Sequence, residues 1–440
     1  MGSIRWGVGL LSVALAFGAV IPAQAAGHPG QPSDPAGLDV LFVGAHPDDE
    51  SGILSTLGQL HIDHRLRVGV VTVTRGEGGG NAVGTEEGPA LGLVREAEER
   101  RALAEVGVVE VINLDKADFY YTVSAPLTDQ VWGHDDTLDR LVRVVRRTRP
   151  KIVLTMDPAP SPGNHGNHQE SARLAVEAYQ AAADPAAFAE QISREGLRPW
   201  AVSRLFTDDM RGHAATGPNC VADFAPTEPT DLVWGVWAGA RAPDGRSWAQ
   251  VERSAQREYA SQGWAGFPDV PTDPNAIGCD YLTQVASRVP YRTDHRGIDG
   301  VLDGTDGAGL VAEAGDYTVT PGSSTHVAVR VSAASAAARA KLSVPPEWQV
   351  SGGGELTPGD PSTAEFTVTV PRGATPGKVR LPVTVSSPGR AEETTTALLE
   401  VTAPVVAEQQ PLPQVAQFRE WARGVGHPEL ADLVPPVLTL

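Results

Sequence analysis

An apolar segment that ends abruptly in a histidine and three carboxylates constrains the fold of this chain most. Residues 40–43 are strand formers, and Gly44 and Pro47 prevent the strand from continuing. After residue 50 the apolar positions change to the spacing of one helix face, at Ile53, Leu54, Leu57 and Leu60. The polar residues therefore occupy a strand-to-helix turn at the carboxyl end of a strand, where open α/β sheets bind their ligands.

Four ionisable side chains crowd this turn: His46, Asp48, Asp49 and Glu50. Like charges this close repel each other, and burying them is costly unless a cation compensates. In one interpretation His46 and Asp49 converge on a divalent metal, while Asp48 faces away or toward a water. In the other, the acidic residues only begin a helix, where the macrodipole favours them. The histidine directly before the carboxylates favours the metal.

Strands and helices alternate through the N-terminal half of the chain. Apolar runs predict strands over residues 66–74, 108–114 and 151–156, and helical spacing predicts helices over residues 91–106 and 138–145. This order indicates an α/β fold with a mostly parallel sheet in three layers. The glycine-rich run that follows the second strand lacks the third glycine of a dinucleotide-binding turn, so we expect it to be a loop that lines the site.

A second group of metal-ligand residues follows the fourth predicted strand. His165 and His168 enter a helix three residues apart, so both imidazoles can face one side of its first turn. A single His-x-x-His pair is usually incidental. Here it follows a parallel strand, as the His46 turn does, so we expect the two groups to meet at one edge of the sheet.

Together these motifs resemble the PIG-L (LmbE-like) deacetylase family. The resemblance rests on residues 45–50, residues 74–78, Arg95 on the following helix and the histidine pair at 165–168, and it covers roughly residues 36–290. It implies a Rossmann-like α/β/α deacetylase domain, which we place at residues 36–295. It also implies a zinc ion, and the metal ligands that it assigns are His46, Asp49 and His168.

The same resemblance assigns roles to four further residues. It makes Asp48 the general base, and it places His165 at the oxyanion or the leaving group. Arg95 and Asp118 are our matches to residues that hold the sugar. In many relatives an aspartate precedes the last histidine of the second motif, whereas this chain has Asn167.

The expected activity is hydrolytic. Three N and O ligands leave an open metal position, as in catalytic zinc sites, although Fe²⁺ or Mn²⁺ would accept the same ligands. We expect a metal-dependent N-deacetylase that uses metal-activated water on a GlcNAc-type amino sugar. Two alternatives stay open: an amidase that removes a larger acyl group from a glycosyl amine, and a carbohydrate-binding surface protein with a vestigial metal site.

The N-terminus predicts export. Residues 1–25 combine a basic start at Arg5, a short apolar run and an Ala-x-Ala cleavage site, which is the pattern of a secretory signal peptide. An uncleaved membrane anchor is disfavoured by the short run. We therefore expect a secreted or cell-surface bacterial protein, with no transmembrane segment in the mature chain.

The C-terminal third has a different composition. The length of 440 residues predicts two or three domains. Residues 296–313 are expected to be a linker, residues 314–403 alternate as short strands of a β-sandwich, and residues 404–440 form a Pro-rich tail. The sandwich resembles the Ig-like NPCBM-associated module found beside carbohydrate-active domains, so we expect it to contact cell-wall polysaccharide, with a mere spacer as the alternative.

The net charge limits the classes of partner, and the cysteine content predicts a disulfide. The formal net charge of -19 predicts repulsion of phosphate backbones, so we expect no nucleic-acid partner. The only two cysteines are Cys220 and Cys279. In an exported protein they are expected to form one disulfide, and two free buried thiols are the alternative.

Overall fold

A computed structural model describes most of the chain beyond the predicted signal peptide. The described residues are 37–119, 124–159, 164–208, 212–227, 231–289, 291, 295–304, 310–315, 318–331, 337–358, 362–388, 392–401, 413–424, 426 and 428. The predicted signal peptide and most of the predicted tail lie outside these ranges.

A parallel sheet forms the centre of the N-terminal part. Its strands are β1 (Val40–Gly44), β2 (Val68–Thr72), β3 (Glu110–Asn113), β4 (Ile152–Thr155) and β5 (Arg204–Thr207). They pair in the order β5-β4-β1-β2-β3, and each of these pairs is parallel. The four strands that the sequence predicts at the start of the chain are therefore confirmed, although three of them are shorter than expected.

Helices cover both faces of this sheet. They are α1 (Leu54–Gly58), α2 (Pro89–Glu105), α3 (Ala125–Trp132), α4 (His134–Thr148) and α5 (Gly166–Ala181). Leu41 and Val43 of β1 belong to the apolar cluster under α4 and α5, whereas Val40 and Phe42 belong to the cluster under α1 and α2. Because successive strand residues point to opposite faces, β1 is buried on both sides, as expected for a central parallel strand.

The predicted helix after Glu50 is broken into three pieces. A 3-10 turn (Asp49–Gly52), α1 and a π-helical turn (Gln59–Asp63) follow one another. The helical spacing of residues 53–60 therefore corresponds to an α-helical turn and a π-helical turn, with a separate 3-10 turn before them. A Cβ on Gly58 would lie only 2.2 Å from the ring of Trp248.

The irregular middle of the chain completes the sheet. It contains α6 (Ala189–Ser193), β6 (Gly212–His213), β7 (Ala225–Pro226), β8 (Val233–Trp237), α7 (Trp248–Gln256), β9 (Cys279–Ser287) and α8 (Ile298–Leu302). Strand β9 pairs antiparallel with β5 and β8, so the sheet is mixed. Cys220 and Cys279 form a disulfide that ties a 3-10 turn (Pro218–Val221) to the start of β9.

The C-terminal strands fit a β-sandwich. They are β10 (Leu310–Ala314), β11 (Thr318–Val319), β12 (Ser324–Val331), β13 (Arg339–Leu342), β14 (Gln349–Gly352), β15 (Ser362–Thr369), β16 (Gly377–Ser386) and β17 (Glu393–Val401). The order β10-β12-β15-β14 forms one sheet, and β13-β16-β17 continues the N-terminal sheet through a bridge between Thr396 and Ser287. Helix α8 and all but the last residue of strand β10 lie within residues 296–313, which the sequence predicts to be a linker.

One further helix, α9 (Pro413–Gly424), lies in the predicted Pro-rich tail and contains Phe418 and Trp421. No helix among the described residues combines the length and the hydropathy that a bilayer crossing requires.

Candidate metal centre

The turn after β1 places two adjacent aspartates in different positions. Asp48 has a left-handed backbone with φ 114°, which is unusual for a residue with a side chain. This conformation turns the chain sharply between β1 and the following 3-10 turn. As a result Asp48 lines an open cavity, whereas Asp49 points back beneath the turn.

Asp49 is held at both carboxylate oxygens. Its Oδ2 accepts hydrogen bonds from the backbone N–H groups of Ala45 and His46, the latter at 3.0 Å. Its Oδ1 lies 3.6 Å from Nδ1 of His46 and 3.3 Å from Nε2 of His168. One oxygen is therefore used to orient the side chain, and the other faces both imidazoles.

Helix α5 delivers the second motif to the same place. Strands β1 and β4 are parallel neighbours, so the segments that follow them meet at one edge of the sheet. His165 is the N-cap of α5 and His168 lies in its first turn. The ring centroid of His46 is 5.0 Å from that of His168 and 5.3 Å from that of His165.

The donor set fits a divalent metal ion. Ligands bound at about 2.1 Å in a tetrahedral site stand about 3.4 Å apart, and the distances of 3.3 and 3.6 Å around Asp49 Oδ1 agree with this spacing. One ligand nitrogen from each of His46, His165 and His168 lies within 4.8 Å of the other two. The predicted ligands therefore converge, with His165 close beside them.

The pKa values of Asp48 and Asp49 are shifted in opposite directions. Burial raises the pKa of Asp48 well above its usual value, and Asp49 raises it further. Burial would also raise the pKa of Asp49, but His168 and His46 hold that pKa well below its usual range. Burial and the neighbouring histidines lower the pKa of His165 to about 3, so its imidazole is neutral.

A hydrogen-bonded layer stands behind His46. Its Nε2 lies 3.4 Å from Oδ1 of Asp118, and Nδ2 of Asn167 donates a 2.9 Å hydrogen bond to the same oxygen. Asn167 in turn accepts a 2.9 Å hydrogen bond from Thr128 of α3. A carboxylate behind a ligand histidine orients its ring, so the structure places Asp118 at His46 as well as at the cavity wall.

Arg95 contacts the glycine-rich loop. Its guanidinium donates to the carbonyls of Gly76 and Gly80, each at 2.8 Å, and to Oε1 of Gln262 at 3.0 Å. The side chain is buried, although it forms part of the cavity wall. These contacts show that Arg95 shapes the loop, while its predicted contact with a sugar stays a prediction.

The cavity has a volume of about 340 Å³. Its walls are His46, Asp48, Gly78, Gly79, Gly80, Arg95, Asp118, Phe119, His165, Asn167, His168 and Gln262. All seven site residues predicted from the sequence lie at or beside it.

Sequence reasoning missed two residues that build the site. Gln262 completes the wall beside Arg95, and Tyr259 donates its hydroxyl hydrogen bond to the buried Glu50 directly below the turn. Both belong to the irregular middle region, where no local motif or spacing indicates them. Burial raises the pKa of Glu50 to about 7.

Comparisons with known proteins identify relatives of this domain. The family model described as "PIG-L: GlcNAc-PI de-N-acetylase" matches residues 41–179. A 1D-myo-inositol 2-acetamido-2-deoxy-alpha-D-glucopyranoside deacetylase 1 of Catenulispora acidiphila is 33% identical over 295 residues, which are 60% of this chain and 87% of the relative.

Two further matches cover less. The deacetylase with the same substrate name from Streptomyces scabiei is 31% identical over 193 residues. The aligned residues are 41% of this chain and 58% of that relative. Among solved structures, an N,N'-diacetylchitobiose deacetylase from Pyrococcus horikoshii aligns with 21% identity and a TM-score of 0.39, over 52% of this chain and 71% of that one.

Proposed function

Because this chain belongs to the PIG-L family of de-N-acetylases, we propose that it hydrolyses the N-acetyl group of a GlcNAc-type amino sugar. The observation that carries this proposal is the convergence of His46, Asp49 and His168 beside Asp48 in one open cavity. Relatives that match this domain are named for deacetylation of a GlcNAc derivative of inositol.

We assign the metal to His46, Asp49 and His168, with zinc as the expected ion. When bound, the ion supplies Lewis-acid activation of water and of the acyl carbonyl. The backbone hydrogen bonds to Oδ2 of Asp49 and the carboxylate of Asp118 behind His46 orient two of these ligands before any ion arrives.

Asp48 is the proposed proton carrier of the reaction. A water attacks the carbonyl carbon, its proton passes to Asp48, and the proton is then delivered to the amide nitrogen as the C–N bond breaks. The products are acetate and the free amine of the sugar. A carboxylate with a raised pKa holds an accepted proton more readily, and burial raises the pKa of Asp48.

His165 is the proposed hydrogen-bond partner of the reacting carbonyl or of the leaving group. Because its imidazole is neutral, it acts as a hydrogen-bond donor and adds no positive charge. The wall residues Arg95 and Asp118 are the proposed contacts of the sugar, since both border the cavity.

The remaining proposals concern the whole protein. Export is supported by the signal-like sequence of residues 1–25. A role of the C-terminal sandwich as an Ig-like module that contacts cell-wall polysaccharide is supported by its strand pattern and by its attachment to the catalytic part.

The test is acetate release by the purified full chain, loaded with Zn²⁺, from N-acetylglucosamine and N,N'-diacetylchitobiose. Asp48→Asn should lower kcat by at least about 100-fold and leave the metal content as in the wild type. Asp269→Asn is the matched control, because that carboxylate is 87% exposed and pairs only with Arg257 among the described residues. Full activity in Asp48→Asn would refute the role of this residue.

Removal of the metal tests the other half of the proposal. A chelator should abolish acetate release, and added Zn²⁺ should restore it. Release from N-butyryl but not N-acetyl substrates would support the amidase alternative instead. If no acylated sugar of the panel is cleaved by the metal-loaded protein, the proposed activity is wrong.

A further inference from the structure

A second group of metal-ligand side chains lies where α3, α4 and α5 meet. Asp129 comes from the end of α3, His134 begins α4, and Glu170 lies on α5. One ligand atom from each lies within 4.8 Å of those of the other two. None of the three is among the residues that line the catalytic cavity of the described chain.

The ring of His134 is enclosed by carboxylates. Its Nε2 lies 2.9 Å from Oε2 of Glu177, which is about two turns beyond Glu170 on α5. Its Nδ1 lies 2.9 Å from Oδ1 of Asp129 and 3.9 Å from Oε1 of Glu170. If Nε2–H donates to Glu177, the lone pair of Nδ1 faces two carboxylate oxygens, and a cation between them removes the repulsion.

Glu170 provides an independent indication of a ligand. It is only 4% exposed and accepts no hydrogen bond from the described residues, and its carboxylate is directed toward His134 and Asp129. A proton on Nδ1 of His134 would satisfy Asp129 at 2.9 Å but would leave Glu170 too far away for a hydrogen bond. A carboxylate with so little exposure and only a distant partner gains from a bound metal ion, which would compensate the charges of Glu170 and Asp129 together.

The geometry also suits a metal ion. Tetrahedral zinc with N and O ligands holds its donor atoms about 3.4 Å apart. The two distances at Nδ1 of His134, 2.9 and 3.9 Å, lie on either side of this value, so small side-chain rotations suffice. Glu177 on the other ring nitrogen completes the carboxylate–histidine–metal arrangement that fixes the tautomer of ligand histidines.

We propose that Asp129, His134 and Glu170 bind a second zinc ion, which joins α3, α4 and α5. Its role is structural, since the residue next to Asp129, Thr128, donates the hydrogen bond that supports Asn167 behind the catalytic His46. The second ion therefore fixes α3 against the helix that carries His165 and His168.

The experiment counts zinc bound to the full chain. The wild type, stripped with chelator and dialysed against Zn²⁺ alone, should bind two equivalents by elemental analysis. Glu170→Gln, which is nearly isosteric, and His134→Ala should each bind one. His326→Ala is the matched control, because this histidine is exposed on the sandwich, and it should bind two.

A second readout is the midpoint of thermal unfolding. Adding Zn²⁺ to a chain that also carries His168→Ala isolates the second site, and the midpoint should rise in that chain. The rise should disappear when Glu170→Gln is added.

The two metal proposals fail differently. If the wild type binds one equivalent that His168→Ala removes and Glu170→Gln does not, the second site is refuted and the catalytic site stands. If the single equivalent is removed by Glu170→Gln but kept in His168→Ala, the catalytic assignment is refuted and the second site stands.

Discussion

Two neighbouring aspartates show how the backbone decides the chemistry of a side chain. Asp48 and Asp49 have the same functional group, yet the left-handed conformation of Asp48 directs the first into the cavity and the second beneath the turn. Holding a residue with a side chain in such a conformation costs about 1–3 kcal/mol. Their environments then move the two pKa values in opposite directions, which suits the proposed roles of Asp49 as a metal ligand and Asp48 as a proton acceptor.

Gly44 makes this turn compatible with the position of Asp49, the proposed metal ligand. A Cβ at residue 44 would lie 2.9 Å from Cβ of Asp49 and 3.1 Å from its Oδ2. We therefore expect Gly44→Ala to displace the Asp49 carboxylate and to weaken zinc binding at the catalytic site by about 10- to 100-fold, the usual effect of disturbing the support of a ligand. Competition with a chromophoric chelator measures this affinity.

Gly52→Ala is the control for this prediction. It changes a glycine in the same segment, where an added Cβ would meet no atom within 4 Å. Its zinc affinity should equal that of the wild type. Equal affinities in both variants would show that Asp49 does not hold the ion.

At the scale of elements, helix α1 depends on carboxylates that are distant in the sequence. Oδ2 of Asp280 accepts hydrogen bonds from the hydroxyls of Ser55 and Thr56, each at 2.6 Å, and Oε2 of Glu252 accepts a 2.8 Å hydrogen bond from the backbone of Ser55. The free N–H groups of a helix start require such acceptors. Strand β9 and helix α7 therefore stabilise the first turn of α1.

Burial of the Asp280 carboxyl predicts a pH dependence of stability, and the hydrogen bonds from Ser55 and Thr56 oppose it only in part because they lower its pKa. Burial raises the pKa of Asp280 to about 6, above its value in an unfolded chain. The folded state therefore favours the protonated acid, so the contribution of Asp280 is fully present below about pH 4 and is lost as the pH rises through about 6. In Asp280→Asn the free energy of unfolding should fall less between these pH values, by on the order of 2 kcal/mol.

Urea denaturation between about pH 4 and pH 8 tests this effect. The difference in the free energy of unfolding between Asp280→Asn and the wild type should change across the interval. The exposed Asp269→Asn should give a curve parallel to that of the wild type. A constant difference for Asp280→Asn would contradict the proposed titration.

Most elements near the site could be predicted from local patterns. Strand β1 is buried on both faces, so its sequence is a continuous apolar run. Helix α4 is buried on one face, so its apolar residues recur with the helical period. The division of the segment after Glu50 into three helical turns could not be predicted from local spacing, nor could the packing of Trp248 against Gly58, which joins positions almost two hundred residues apart.

At the scale of the whole molecule, the sandwich is joined to the N-terminal α/β part by specific contacts. Arg380 of β16 lies 3.2 Å from Oδ1 of Asp231 and donates a 2.7 Å hydrogen bond to the carbonyl of Gln284. The hydroxyl of Thr395 donates to the carbonyl of Ser287 at 3.0 Å. These bonds connect β16 and β17 to the edge of the catalytic sheet, so the two parts should unfold together.

Arg380→Ala tests this coupling. The side chain of Arg380 is only 10% exposed, so its loss leaves Asp231 without a buried partner, which costs about 1–3 kcal/mol. We expect calorimetry to show the single unfolding transition of the wild type separating into two. Arg339→Ala is the control, because it removes an ion pair with Glu355 in which the two side chains are 65% and 77% exposed. Its free energy of unfolding should differ from that of the wild type by no more than about 1 kcal/mol.

The amino-acid sequence by itself determined the class of fold and the identities of the candidate ligands. Strand and helix periods follow from burial, and loops after parallel strands meet at one sheet edge, so His46 and His168 could be paired before their distance was known. Only the tertiary structure decided which groups support them. Contacts such as that of Asp118 with Asn167, or of Arg95 with Gln262, join distant segments, and local spacing carries no information about such pairs.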